Sequence, residues 1–151
     1  MIANPTAVTA DLTHAALLLK DLHGVKLKAL FGPEHGVFAN AQDLEEVGDV
    51  KDPKTRLRVF SLYGKTRIPT AQMLAGIDVL VFDIQDVGSR YYTFIYTMLH
   101  AMQACAAYGV RLLVLDRPNP IGGVLVQGNL LDPPPGYRDF FLEEERRFLG
   151  G

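Results

Sequence analysis

Residues 78–84, Asp-Val-Leu-Val-Phe-Asp-Ile, constrain the fold more than any other stretch of the chain. Apolar side chains fill consecutive positions there instead of alternate ones. A strand of that kind is covered on both faces, and strands covered on both faces belong to parallel sheets flanked by helices. Residues 111–115, Arg-Leu-Leu-Val-Leu, repeat the pattern and predict another buried strand. Residues 25–31 and 57–63 supply two more strand candidates, with 32–57 read as a long loop rich in turn formers. Helical spacing lies between the strands. Leu12, Ala15, Ala16 and Leu19 share one face of a helix over 11–22, which Gly24 ends. Thr70 is an N-cap for a short helix over 71–74, closed by Gly76. Ile95, Met98, Leu99, Met102, Cys105 and Ala106 mark a long helix over 91–108, with Gly109 behind it. The predicted class is α/β, a mainly parallel sheet with helices on both faces. Strand order does not follow from such a pattern.

Several function classes drop out at this level. The net charge of −2 and pI near 6.0 predict no nucleic-acid partner. Cys105 is the one cysteine of the 151 residues, so neither an intramolecular disulfide nor a cysteine metal cluster is expected, and its apolar helical setting predicts a buried thiol. No apolar run is long enough to span a membrane, so no membrane partner is expected. Residues 1–6 have neither the basic start nor the apolar stretch of a signal peptide. Neither G-x-G-x-x-G nor G-x-x-x-x-G-K-[ST] occurs, so no nucleotide cofactor is expected.

Polar residues follow each predicted strand. Gly32-Pro33-Glu34-His35-Gly36 comes after the first, and Tyr63-Gly64 after the second. Asp83, Gln85, Asp86, Gly88, Arg90, Tyr91 and Tyr92 lie in and after the third; Asp116, Arg117 and Asn119 follow the fourth. In a parallel sheet these carboxyl ends share one edge, where open α/β folds bind ligands. Each residue also has a plainer role. Asp116 can be a turn former. Asp83, inside an apolar strand, needs a partner such as Arg90 or Arg117, and a structural ion pair competes with a catalytic role. At least one of Tyr91 and Tyr92 is expected in the core. His14 and His100 are expected at the surface or its boundary, and His23 at a helix end where the dipole accounts for it. Glu34 stands apart, because Asn or Asp with Gly would serve a simple chain reversal better.

The segments ANPTAV, LFGPEHGVF, VFSLYGKTRIPTAQML, GIDVLVFDIQDVGSRYYTFIYTMLHAM and LLVLDRPNPIGGVLVQGNLLD resemble, in order, the DUF1343 family, which contains the NamZ-type exo-β-N-acetylmuramidases. The resemblance covers about residues 4–132. It implies a Rossmann-like N-terminal subdomain, a second C-terminal subdomain, and a cleft between them. It also implies hydrolytic release of N-acetylmuramic acid from the non-reducing ends of peptidoglycan fragments, in a secreted or periplasmic bacterial setting. Glu34 then becomes the leading catalytic carboxylate, with His35 and Asp86 beside it. Asp83, Arg90, Tyr92, Asp116, Arg117 and Asn119 become candidate substrate-binding residues. Glycoside hydrolysis fits these residue types. An acid protonates the leaving oxygen, and a second carboxylate acts as base or nucleophile. Arginine suits the lactyl carboxylate of muramic acid, and Arg90 and Arg117 are the candidates. Tyrosine suits a sugar face.

Departures from the family pattern shape the remaining expectations. The first strand is expected to be shortened at Met1-Ile2. Past Asp132 the family continues into a large second half, whereas residues 133–151 read as a Pro-rich hinge and a short helical tail. Residues 1–132 are therefore expected to form the N-terminal subdomain, with the C-terminal subdomain absent. The expected partner is a muropeptide or a peptidoglycan-derived disaccharide, with a dimer or partner chain covering the open side of the cleft. The alternative is a non-catalytic, carbohydrate-binding or vestigial subdomain. A metal-dependent hydrolase using Glu34, His35 and Asp83 ranks behind both, because no H-x-H or H-E-x-x-H spacing supports a metal.

Overall fold

The computed structural model describes residues 1–33, 36–38, 51–63, 66–89 and 91–128. Met1–Ile121 form one compact unit and Gly122–Gly151 a second, of which 122–128 are described. The first unit is built on a five-stranded sheet, all pairings parallel, in the order β3-β2-β1-β4-β5. Its strands are β1 (Ile2–Ala3), β2 (Ala29–Gly32), β3 (Arg58–Ser61), β4 (Val79–Asp83) and β5 (Arg111–Val114). The helices are α1 (Ala15–Asp21), α2 (Ala71–Leu74) and α3 (Phe94–Tyr108).

The centre of the sheet is its shortest strand. Ile2 and Ala3 are wholly buried between β2 and β4, with Ile2 opposite Phe31 on one side and Phe82 on the other. Met1 extends the pairing: its amino group donates to the Ala29 carbonyl at 2.9 Å, and Phe31 N–H donates to the Met1 carbonyl at 2.8 Å. One core forms on the side of α2 and α3, from Ile2, Phe31, Phe60, Leu80, Phe82, Leu74 and Cys105. The Phe31 and Phe60 rings, opposite each other in the β2–β3 register, sit 5.2 Å apart. The other core forms on the α1 side, from Met1, Ala3, Ala7, Ala16, Leu30 and Val37. Full burial of a side chain such as Ile2, Leu30 or Leu80 is worth about 1.5–3 kcal/mol.

The short helix over 71–74 forms as expected, with the Thr70 hydroxyl accepting from Met73 N–H at 3.4 Å. Gly109 ends α3 in the left-handed region, with φ 67°. The Cys105 thiol is buried, and burial pushes it above the usual thiol range.

Other expectations are corrected. The helix expected from residue 11 begins at Ala15, because Thr9, Asp11 and Thr13 satisfy one another in a turn and Leu12 sits at φ 63°. Leu12 is exposed instead of facing the core. His14 is a buried helix cap, not a surface residue: its Nδ1 accepts from Ala16 N–H at 3.2 Å, and its ring lies 4.5 Å from that of Phe38. The first expected strand is confined to Ala29–Gly32. The long helix starts at Phe94, and both Tyr91 and Tyr92 are exposed, so neither is core. Its buried residues are Thr97, Leu99, Ala101, Ala104 and Cys105, whereas Ile95 and Met102 face solvent. The strand at 111–115 is apolar but not buried: it is the edge of the sheet among the described residues, and Leu113, Val114 and Leu115 are exposed there.

Candidate functional site

Since every strand runs the same way, the carboxyl ends of β1, β2, β4 and β5 share one edge, where the loops after β1, β4 and β5 are tied together. After β1, the Asn4 Oδ1 accepts from Thr6 N–H at 3.0 Å and from the Thr6 hydroxyl at 2.6 Å. That turn is buried at Asn4, whose carbonyl meets His14 Nε2 at 3.1 Å. With Nδ1 accepting from Ala16, Nε2 carries the proton and donates. The Thr6 hydroxyl in turn accepts from Gln85 N–H, at the end of β4, at 3.3 Å. The Gln85 amide nitrogen crosses to the β5 loop and donates to the Pro118 carbonyl at 2.9 Å.

The strongest tie is ionic. Asp83, the last residue of β4, has no solvent exposure. The Arg117 guanidinium grips it in a fork, Nε to Oδ1 at 2.6 Å and Nη2 to Oδ2 at 3.0 Å. Its remaining nitrogen, Nη1, donates to the Val8 carbonyl at 2.9 Å. The hydrogen bonds to Asp83 lift the guanidinium further above its already high range. One side chain thus holds the loops after β1, β4 and β5 in a fixed relation.

Glycines set two close approaches. Gly32 ends β2, and a Cβ there would stand 2.9 Å from the Cα of Gly36, so the chain returns against its own backbone. Gly36 N–H donates to the Pro33 carbonyl at 2.9 Å. Gly88, at φ 67°, leaves room for the Asn119 amide, which a Cβ would strike. Asn119 Oδ1 accepts from Ile121 N–H at 3.1 Å, and Asp86 Oδ1 accepts from Gly88 N–H at 3.1 Å. Asp86 and Asn119 are thereby brought to adjoining turns.

Of the residues singled out from the sequence, Asp83 and Arg117 meet directly. Asp86 and Asp116 are exposed near the strand ends. Tyr92 is half-exposed, its ring stacked on that of Phe94 with centroids 5.6 Å apart. Glu34, His35 and Arg90 lie outside the described residues. Among the described residues, no group of three or more His, Cys, Asp or Glu side chains is placed to hold a metal. No helix among them is long and apolar enough to cross a membrane. Asn4 and Thr6, which build the edge together with Gln85, are not among the candidates read from the sequence. Their signal was Asn-Pro-Thr directly after an apolar start, a turn-forming triplet at a strand end.

The arrangement offers exposed carboxylates, amides and aromatic rings at one sheet edge, on loops fixed by a buried ion pair. The family model described as exo-β-N-acetylmuramidase NamZ, N-terminal, matches residues 1–141. The chain is 51% identical over 133 residues to the peptidoglycan β-N-acetylmuramidase NamZ of Bacillus subtilis strain 168, covering 88% of this chain and 32% of that protein. A crystal structure of a DUF1343 family protein from Bacteroides fragilis NCTC 9343 superposes with a TM-score of 0.77 at 48% identity, covering 87% of this chain and 32% of that one. The chain therefore spans about a third of the length of these relatives.

Proposed function

From the premise that the chain belongs to the NamZ family through that family's N-terminal part, we propose that it forms the N-terminal portion of a peptidoglycan-directed exo-β-N-acetylmuramidase. It would supply part of the cleft that releases N-acetylmuramic acid from the non-reducing end of a muropeptide. The observation that carries this reading is 51% identity over 133 residues to a peptidoglycan β-N-acetylmuramidase.

Glu34 is the proposed general acid, protonating the glycosidic oxygen, and His35 its hydrogen-bonding neighbour. Asp86 is the proposed second carboxylate, exposed at the same edge. Asp116 and Asn119 are suited to sugar hydroxyls, and the half-exposed Tyr92 ring to a sugar face. The ion pair changes the assignment of the arginines. Arg117 spends both faces of its fork on Asp83 and Val8, so Arg90 is left as the proposed partner for the lactyl carboxylate. Asp83 and Arg117 act as the brace that holds the loops.

The reading is tested with a chimera in which residues 1–132 replace the matching part of the Bacillus relative. Release of N-acetylmuramic acid from a muropeptide by the chimera supports the proposal. A folded chimera that binds the muropeptide without hydrolysing it would favour the carbohydrate-binding reading.

A further inference from the structure

We propose that His14 is a positioning residue: its ring sets the spacing between the segment that bears Glu34 and the loop that bears Asp86. The geometry rests on the contacts of His14, and its catalytic meaning rests on the muramidase reading.

The choice of residue is the first ground. Helix N-caps are ordinarily Ser, Thr, Asp or Asn, short side chains that serve one backbone amide and reach no further. His14 caps α1 through Nδ1, which accepts from Ala16 N–H at 3.2 Å. A short cap would serve α1 as well. It would not reach the Asn4 carbonyl, ten residues back, which His14 Nε2 meets at 3.1 Å. Only the tautomer with its proton on Nε2 makes both bonds. The residue is 8% exposed, and its ring lies 4.5 Å from that of Phe38. Three pieces of chain therefore meet on one imidazole: α1, the loop after β1, and the segment after β2.

Where each end leads is the second ground. The segment bearing Glu34 leaves β2 through Pro33, which is fully buried, and returns through Gly36, Val37 and Phe38. Gly36 N–H donates to the Pro33 carbonyl at 2.9 Å, and Val37 packs in the α1-side core. Phe38 closes that flank against His14, with Lys54 Nζ 5.7 Å from its ring centroid. On the other side, the Asn4 carbonyl also accepts from Ala7 N–H at 3.0 Å, and Asn4 Oδ1 holds Thr6. The Thr6 hydroxyl accepts from Gln85 N–H, and Asp86 is the next residue. The His14 backbone pairs with Val8 in an antiparallel bridge, and the Val8 carbonyl is the one that Arg117 grips. The flanks of both proposed catalytic carboxylates thus lead to His14. Glycoside hydrolysis is sensitive to such spacing: carboxyl separations of about 5–5.5 Å and about 6.5–9.5 Å serve different courses of reaction.

His14→Asn tests the proposal, because Asn is a good N-cap but lacks both the reach to Asn4 and the ring against Phe38. In the 151-residue chain, amide exchange at Leu18 and Leu19 of α1 should stay nearly unchanged, while that of Gly36 and Gln85 should quicken by about tenfold. In the chimera described above, His14→Asn should lower kcat on a muropeptide by about ten- to a hundredfold, the scale of a misplacement of about 1 Å, with KM nearly unchanged. Phe38→Leu should also lower kcat, and the double variant should fall little below the poorer single one. His14→Ala, which loses the cap as well, should match the loss in kcat and lower the thermal midpoint besides. Parental kcat in His14→Asn would overturn the proposal and leave His14 a helix cap alone. So would a raised KM with kcat unchanged, or Gly36 and Gln85 amides that exchange as in the parent chain. A parent chimera that folds without hydrolysing would remove the activity reading; the exchange rates would then decide whether His14 holds the two loops.

Discussion

Arg117 and Asp83 are 34 residues apart in sequence and joined by two parallel hydrogen bonds, with the carboxylate wholly buried and the guanidinium side chain 26% exposed. A carboxylate can sit at the end of an apolar strand only with such a partner. Replacing Arg117 by Gln strands that charge. The expected loss is about 3 kcal/mol, the low end for a broken buried pair because Arg117 is partly solvated. Arg117→Lys keeps the charge but not the fork, and should recover only part of it. The double variant Asp83→Asn/Arg117→Gln should lose less than the two single changes added together. Urea midpoints for all four proteins give the coupling directly. Additive losses would show that the pair is not a brace.

The two close-approach glycines should respond differently to alanine. At Gly32 the new methyl meets the Gly36 backbone at 2.9 Å, and backbone cannot rotate away. At Gly88 it meets the Asn119 side chain, and the residue also sits at φ 67°. Both changes should destabilise by about 1–3 kcal/mol. Asn119→Ala should relieve the steric part at Gly88 but not the backbone part. No second-site side chain should rescue Gly32→Ala. Thermal midpoints of the single and double variants separate the two cases.

The buried amino terminus makes stability depend on pH. Burial lowers the Met1 ammonium from 8.0 to about 5. Between those values the unfolded chain binds the proton and the folded chain does not, so stability rises with pH from about 5 to about 8. Below about 5 the full penalty remains; above about 8 it is gone. The gap between the two values bounds the effect at about 4 kcal/mol. Urea unfolding across this window should show the slope, and an N-terminally acetylated chain should show a flatter curve. Equal slopes in the two proteins would assign the pH dependence to other groups.

What could be read from the residues alone follows from range. The strand within 78–84 announced itself because burial on both faces leaves a continuous apolar run. The short helix after Thr70 did so because its cap is local. β1 has two residues, too few to display any period, yet it is the centre of the sheet. Strand order is a tertiary fact with no local trace. The run at 111–115 looked buried because its side chains suit burial, but the described sheet stops at β5. The helix expected from residue 11 failed for a local reason: the Thr9–Asp11–Thr13 turn competes for the backbone and holds Leu12 at positive φ. At the candidate site, Asp83's need for a cation was legible, while the pairing with Arg117 depended on which loop crosses the sheet edge.

Glu34→Gln keeps the shape of the side chain and removes its ionisable proton. In the chimera, turnover of a muropeptide should fall by about 10²–10⁴-fold, the usual cost of a lost general acid. The loss should depend on the leaving group. A nitrophenyl muramide departs with little need of protonation and should be hurt much less than a natural sugar leaving group. Asp86→Asn, by contrast, should slow both substrates, because a base or nucleophile is needed whatever leaves. Arg90→Gln should raise KM for substrates carrying the lactyl carboxylate and spare an analogue without it. Equal losses on both leaving groups in Glu34→Gln would move Glu34 out of the acid role. Undiminished turnover would leave the Pro-Glu-His-Gly segment as a turn alone, and the search for the acid would pass to Asp86 and Asp116 at the same edge.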